Sequence, residues 1–599
     1  MDRRQFVAAG AAAATVAILP AGVSAEQTGD AALTAAFDFV FADGVRNNPE
    51  GATSLGLDKE ANAALRHRLS DNGPNAVADD LARTRRYKAL VEAVAPAVLS
   101  SQARIDREVI LYNLDGDIVG PARFGIGSPQ HPYRITQQDG AYGDIPDFLS
   151  STHSIANADD AEAYLDRLAQ FDRVLDNDTQ VQRSEAAKGR LAPGFLLDLA
   201  LGQMAQLRQP APAANTLTSS LVTRSAAARL TGDYAGRAAR LVEQKVYPAL
   251  DRQIAAVRAL RGQARSAAGV GAMPDGEAIY AAALAQATTT TLSPTDVHHM
   301  GLEQVADLTA QLDMILRTQG MAAGTVGERL TALNHAPAQL YPDSDVGRAQ
   351  LIAGLNAGVH AMQARLGQAF TDPPNAPLDI RRVAPEIQDG ASNGYYYRAP
   401  LDGSRPAIYW INLKSVGDWP RYSLPSLTYH EGVPGHHLQI STAQRAPVHP
   451  LRKIAFFNAY LEGWALYAEQ LADELGGYAT PLERAGYLQS FLFRAARLVV
   501  DTGIHTLGWS RERATQYLVD TVGFARPRSQ REVERYCGQP GQACSYKIGH
   551  ATWRRARAEA QRIAGARFDL KHFHDVLEAG AMPLSMLERV TAERARAAA

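Results

Sequence analysis

The sequence predicts a mainly α-helical protein, with two helical lobes around a cleft and one small antiparallel β element beside the candidate site. Three observations lead there. Apolar residues recur at helical spacing along most of the chain, alanine and arginine are abundant, and only one segment pairs aromatic and β-branched runs with an Asp-Gly turn. The 599 residues are 46% hydrophobic and 21% charged with a formal net charge of -2, which fits a globular protein and gives no basic surplus for nucleic acid. No tandem repeat or long linker divides the chain. Residues 26–599 are therefore expected to form a single helical domain, with the functional region at about 385–550.

Residues 1–25 read as a signal peptide. Arg3 and Arg4 precede a short alanine-rich apolar run that ends in Val23-Ser24-Ala25, the order of a twin-arginine leader with a small-x-small cleavage site. The run is too short for a membrane span, so the mature chain is expected in the periplasm or secreted, with no stable span once the leader is removed. In that oxidising setting the two cysteines, Cys537 and Cys544, are expected to form a local disulfide across a Gly/Pro-rich loop.

Further along, "SPTDVHHMGLEQVADLTAQLDMILRTQG" carries an N-cap serine at 293, a proline at the first helical position, Asp296 to complete a capping box, and Gly320 as a stop. Leu302, Val305, Leu308 and Leu312 then form the expected buried stripe. His298 and His299, near the start of this helix, are read as surface or helix-end residues rather than ligands. Segment 395–413, "YYYRAPLDGSRPAIYWINL", reads as a hairpin turning at Asp402-Gly403. Tyr395, Tyr396 and Tyr397 sit where an edge strand can pair with an extended peptide, which makes Tyr397 a candidate substrate contact.

Candidate chemistry begins at "HEGVPGHHLQ", residues 430–439. A zinc helix of the HExxH type places two histidines four residues apart on one face, with a glutamate beside the first to polarise water. Here Pro434 takes the place of the second histidine, and His436 and His437 follow. On an unbroken helix His436 would lie about 9 Å along the axis from His430 and roughly 120° around it. Pro434 cannot donate to the His430 carbonyl and its ring would strike that carbonyl, so a break or bulge is expected, with Gly435 supplying backbone freedom. If two residues loop out, His436 reaches the metal; if three, His437 does. The smaller detour favours His436, leaving His437 to orient a neighbour. Helix "FFNAYLEGWALYAEQLADEL" brings the third ligand, Glu462, a carboxylate among apolar neighbours. Glu469, two turns on, either orients a ligand or faces solvent.

Arg494, Arg497, Asp501 and His505 make a polar stripe on an otherwise apolar helix, either a solvated or salt-bridged face or a contact for a substrate carboxylate through Arg494, Arg497 and His505.

These motifs, with "LEGWALYAEQL", "RLVVDTGIHTLGWSRERA", "YKIGH" and "FDLKHFHDVLEAGAMPLSML", resemble the bacterial family catalogued as domain of unknown function 885 over nearly the whole mature chain. That family resembles the helical zincin peptidases. The resemblance implies one zinc ion per chain on His430, His436 and Glu462, and Glu431 as general base. By analogy with helical zincins, Tyr546 is the candidate oxyanion donor. The expected activity is zinc-dependent hydrolysis of short peptides. Hydrolysis of a non-peptide amide, or a catalytically silent binding role for the cleft, are the alternatives. The sequence sets no oligomeric state.

Overall fold

Residues 25–383, 385, 388 and 394–598 are described by the computed structural model. The expected leader, save its last residue, lies outside them. Among the described residues the chain is mainly helical and carries one three-stranded sheet. Among the described residues no helix is long and apolar enough to cross a membrane.

Helix Pro481–His505 organises the interior. Its Val499 and Val500 belong to a core built largely from residues 124–280, its Leu498 to a second core built from the C-terminal half, and its Leu488 and Leu492 to a third. A helix apolar around most of its circumference must be covered on all sides. Helix Pro294–Thr318 supplies one cover. It starts as its sequence dictates, with the Ser293–Asp296 capping box formed in both directions and Gly320 in the left-handed region at φ 80°. Its buried face is Val297, Gly301, Leu308, Leu312 and Leu316. Leu302, expected in that stripe, is 43% exposed. The contact runs through Gly301 instead, where a Cβ would sit 2.8 Å from Leu498 Cβ. His298 is half-buried and bonds Thr502 Oγ1 at 2.7 Å, a link between these two helices.

The predicted hairpin is present as strands β2 (Gly394–Tyr397) and β3 (Ala407–Ile411), paired antiparallel with Tyr396 opposite Tyr409. The sheet is mixed rather than purely antiparallel, because β1 (Leu378–Arg382) adds in parallel on the far side of β3. Only Ile380 of its five residues is buried, so its charged sequence lacks the alternation that marks a strand. β2 is left as an edge.

The expected disulfide is absent. Cys537 and Cys544 are both free and buried, and they belong to different cores. Burial pushes both thiols up, and Cys544 is further held by the Asp501 carboxylate.

Helices Asn458–Glu474 and Ser545–Ala564 cross with their backbones in contact at Gly463 and Gly549. A Cβ at Gly549 would lie 2.0 Å from the Ala459 carbonyl oxygen. Gly549→Ala is expected to lower stability by about 1–3 kcal/mol, as overpacking of a tight contact does; a denaturation midpoint equal to that of the wild type would refute the contact.

Candidate metal centre

The motif folds as two helices. Leu424–Glu431 ends at Glu431, and His436–Arg445 begins five residues later. Between them Val433-Pro434 is a cis peptide, and Gly435 presses on the end of the first helix: a Cβ there would lie 1.9 Å from the His430 carbonyl oxygen and 2.3 Å from that of Tyr429. Trp464, from helix Asn458–Glu474, donates its indole N–H to the carbonyl of Pro434 at 2.9 Å and approaches that of Gly435 at 3.3 Å. The Pro434 carbonyl, which has no backbone partner in the break, is thereby paired, as burial requires, while the Gly435 carbonyl already accepts from the Gln439 N–H at 3.0 Å.

This detour brings His436 back to His430. The two rings stand nearly perpendicular with centroids 4.9 Å apart. Glu462 Oε2 lies 3.3 Å from His430 Nε2 and 3.4 Å from His436 Nε2. All three ligand atoms fall within 4.8 Å of one another, a set that could hold a metal ion. Despite the proximity, Glu462 Oε2 takes part in no hydrogen bond of acceptable geometry. The three atoms point at a common space rather than at each other. Burial works to raise the Glu462 carboxyl, but the two imidazoles outweigh it and hold it well below the usual carboxylate range.

His430 is fixed from behind. Its Nδ1 donates to Glu469 Oε1 at 2.8 Å, which leaves Nε2 free to act as a ligand. Glu469 is fully buried and also accepts from Ser426 and, at 2.7 Å, from Ser490. It orients His430 and does not face solvent. Burial opposes a charge on His430, but Glu462 and Glu469 outweigh it and raise the ring to about 9. His437 turns away: its Nε2 donates to the Ala376 carbonyl at 2.9 Å and its Nδ1 accepts from the Tyr396 hydroxyl at 3.1 Å. With both nitrogens engaged, it ties the second helix to β2.

Glu431 lies beside the cluster, buried, with Oε2 unpartnered. Burial pushes its carboxyl up, with the Glu462 charge adding to it against the pull of His430, His436 and Arg494. It lines a cavity of about 420 Å³ together with His430, His436, Glu462, Tyr546 and Arg494. The Tyr546 ring stacks on that of His430 at 6.3 Å, and the Arg497 guanidinium covers it at 4.5 Å.

Over residues 49–590 the chain matches a family of bacterial proteins of unknown function, DUF885. The chain belongs to this family. Two solved structures are similar along nearly their whole length. A candidate lipoprotein from Colwellia psychrerythraea is 32% identical with a TM-score of 0.90, the match covering 96% of this chain and 99% of that one. A candidate lipoprotein of unknown function from Shewanella oneidensis is 17% identical with a TM-score of 0.70, covering 94% and 99%, and shares the fold. No curated protein matches. Within the family match lie all four residues of the cluster, His430, Glu431, His436 and Glu462.

The expected polar stripe is split. Arg494 and Arg497 line the cavity, but His505 does not: its Nδ1 accepts from the Val270 N–H at 3.1 Å and its Nε2 donates to the Tyr536 carbonyl at 3.1 Å. Asp501 is buried with it, accepting from the Tyr280 hydroxyl at 2.7 Å. Tyr397 is likewise off the cavity, its hydroxyl 3.0 Å from Thr152 Oγ1 and its ring beneath Arg405. Tyr395 and Tyr396 line the cavity in its place. Sequence reasoning overlooked Arg528, Glu532 and Arg535, which reach the cavity from helix Arg526–Gly538. Their spacing of four and three residues on one helical face was the available signal.

Gly435→Ala leaves every ligand in place but forces its Cβ into the His430 carbonyl. It is expected to weaken the affinity of the three-residue cluster for an added divalent metal ion at least about 10-fold, an effect of the size seen when the supports of metal ligands are disturbed. Titration against a chromogenic chelator measures this, and an unchanged affinity would contradict the role given to the break.

Proposed function

We propose that the protein is a zinc-dependent hydrolase that cleaves short peptides. The observation that carries this reading is the convergence of His430 Nε2, His436 Nε2 and Glu462 Oε2 beside an unpartnered, buried Glu431 carboxylate on the wall of a cavity. Two imidazoles and one carboxylate are a donor set of catalytic zinc, with the fourth position left for water or substrate. Tetrahedral ligand atoms at about 2.0–2.2 Å from an ion stand about 3.4 Å apart. The separations of 3.3 and 3.4 Å to Glu462 Oε2 match that spacing.

A zinc ion held by these residues supplies Lewis acidity, which makes water nucleophilic near neutral pH and polarises a carbonyl. Glu431 takes the proton of the attacking water; a carboxyl whose affinity for protons is raised by burial serves that purpose better than an exposed one. As the new C–O bond forms and the amide C–N bond breaks, Glu431 passes the proton to the leaving nitrogen, giving a carboxylic acid and an amine. Tyr546 lines the same cavity, and in this reading its hydroxyl donates a hydrogen bond to the carbonyl oxygen. Glu469 keeps His430 in the required tautomer.

Peptides are favoured over other amides by β2. It is an edge strand, and its residues 394–396 line the cavity, so an extended substrate backbone can continue the sheet. In this reading the chain from residue 26 is one zincin-like catalytic unit, with the cavity as the cleft between helical lobes that meet at helix Pro481–His505. The similar structures are those of candidate lipoproteins, which supports action outside the cytoplasm, and the twin-arginine leader gives the route.

Glu431→Gln is expected to retain zinc and lose about 100- to 10,000-fold in kcat, the span attributed to general acid–base catalysis. Glu462→Gln is expected to lose zinc itself. Metal content and turnover of blocked peptides measure both, and a Glu431→Gln protein with full activity would overturn the mechanism.

A further inference from the structure

Opposite the metal ligands the cavity wall is cationic. Helix Pro481–His505 contributes Arg494 and Arg497, and helix Arg526–Gly538 contributes Arg528 and Arg535. Apart from Glu431 and Glu462, one carboxylate among the described residues lines the cavity with them, Glu532. It is already shared, accepting from Arg497 at 3.1 Å, Arg535 at 3.2 Å and the Tyr536 hydroxyl at 2.9 Å. Burial would raise Glu532, yet Arg535 and Arg497 hold it down at about 2, so it stays charged and spent on those two. Among the described residues no carboxylate comes within 4.0 Å of the Arg494 or Arg528 guanidinium. Arg494 donates to Ser490 Oγ at 2.7 Å, and Arg528 to the Asp418 carbonyl at 3.0 Å.

Three guanidinium nitrogens on this wall are buried and unpartnered: Arg494 Nε, Arg497 Nη1 and Arg528 Nε. Arg497 is only 5% exposed. A guanidinium does not escape burial by losing its proton, so these three side chains give the cavity wall a standing positive charge. Planar forks of this kind fit a carboxylate. The wall also stands close to the proposed chemistry. Arg497 lies 4.5 Å over the Tyr546 ring and Arg494 5.9 Å from it, and Tyr546 stacks on His430. One aromatic ring separates the arginines from a metal ligand, a gap that one or two residues of extended chain bridge at about 3.5 Å each.

We infer that Arg494, Arg497 and Arg528 form a subsite for the terminal carboxylate of the substrate, so that the enzyme cuts one or two residues from a free carboxy terminus. This rests on the hydrolase reading, and the test separates the two. The probes are N-acetylated tetrapeptides with a free carboxy terminus and the same peptides as carboxy-terminal amides. Cleavage is followed with the zinc-loaded protein, and binding is followed calorimetrically with Glu431→Gln. The free acid is expected to bind and react better by roughly 100-fold, because the amide loses the charge and the second acceptor oxygen that an arginine fork pairs with. Arg528→Gln and Arg494→Gln are expected to bring the acid-to-amide ratio towards one, with circular dichroism confirming the fold. Acid-selective binding without cleavage of either peptide would uphold the subsite and overturn the hydrolase. Equal treatment of acid and amide, or binding of neither, would overturn the subsite.

Discussion

The indole of Trp464 bonded to the carbonyls around Pro434 and Gly435 is the contact on which the rest of the site depends. A broken helix in a buried place leaves carbonyl groups without partners, and such a break persists only where something answers them. Trp464 answers the Pro434 carbonyl from the helix that also carries Glu462. The group that stabilises the detour and the carboxylate that the detour serves therefore move together. Gly435 completes the arrangement by letting the loop lie against the His430 carbonyl.

His430 is held at Nδ1 and faced at Nε2 by carboxylates of that same helix. Glu462 and Glu469 are seven residues apart, two helical turns, and so share a face. One lies 3.3 Å from Nε2 and the other 2.8 Å from Nδ1. The ring has little freedom left. Glycine contacts then set the third wall: with Gly463 against Gly549, helix Ser545–Ala564 comes close enough for Tyr546 to stack on His430. Rigid elements thus hold each group, which is what a preorganised site requires.

Much of this was legible in the sequence because it follows from short-range rules. Pro434 forbids a continuous helix, a detour of two residues returns His436, and a carboxylate on an apolar helix needs a partner. The capping box at Ser293 and the turn at Gly403 are equally local. What escaped depends on packing between distant segments. Leu302 was expected inside, but close approach at Gly301 turned the contact face away from it. Strand β1 hides in a charged sequence because β3 alone gives it a partner. The stripe from Arg494 to His505 divides because Arg497 pairs with Glu532 on another helix, leaving Asp501 to Tyr280. The two cysteines are near in sequence, yet their side chains enter separate cores.

The central claim is that the break returns His436, and not His437, to the partner position of His430. X-ray absorption at the zinc edge on protein purified with one equivalent of zinc, compared between the wild type and the His436→Ala and His437→Ala variants, tests it most directly. The account predicts a light-atom shell at about 2.0–2.1 Å with imidazole scattering from two histidines. His436→Ala should remove one imidazole from that shell, and His437→Ala should leave both. Loss of an imidazole on removing His437 alone, or a wild-type protein that retains no zinc, would contradict the account.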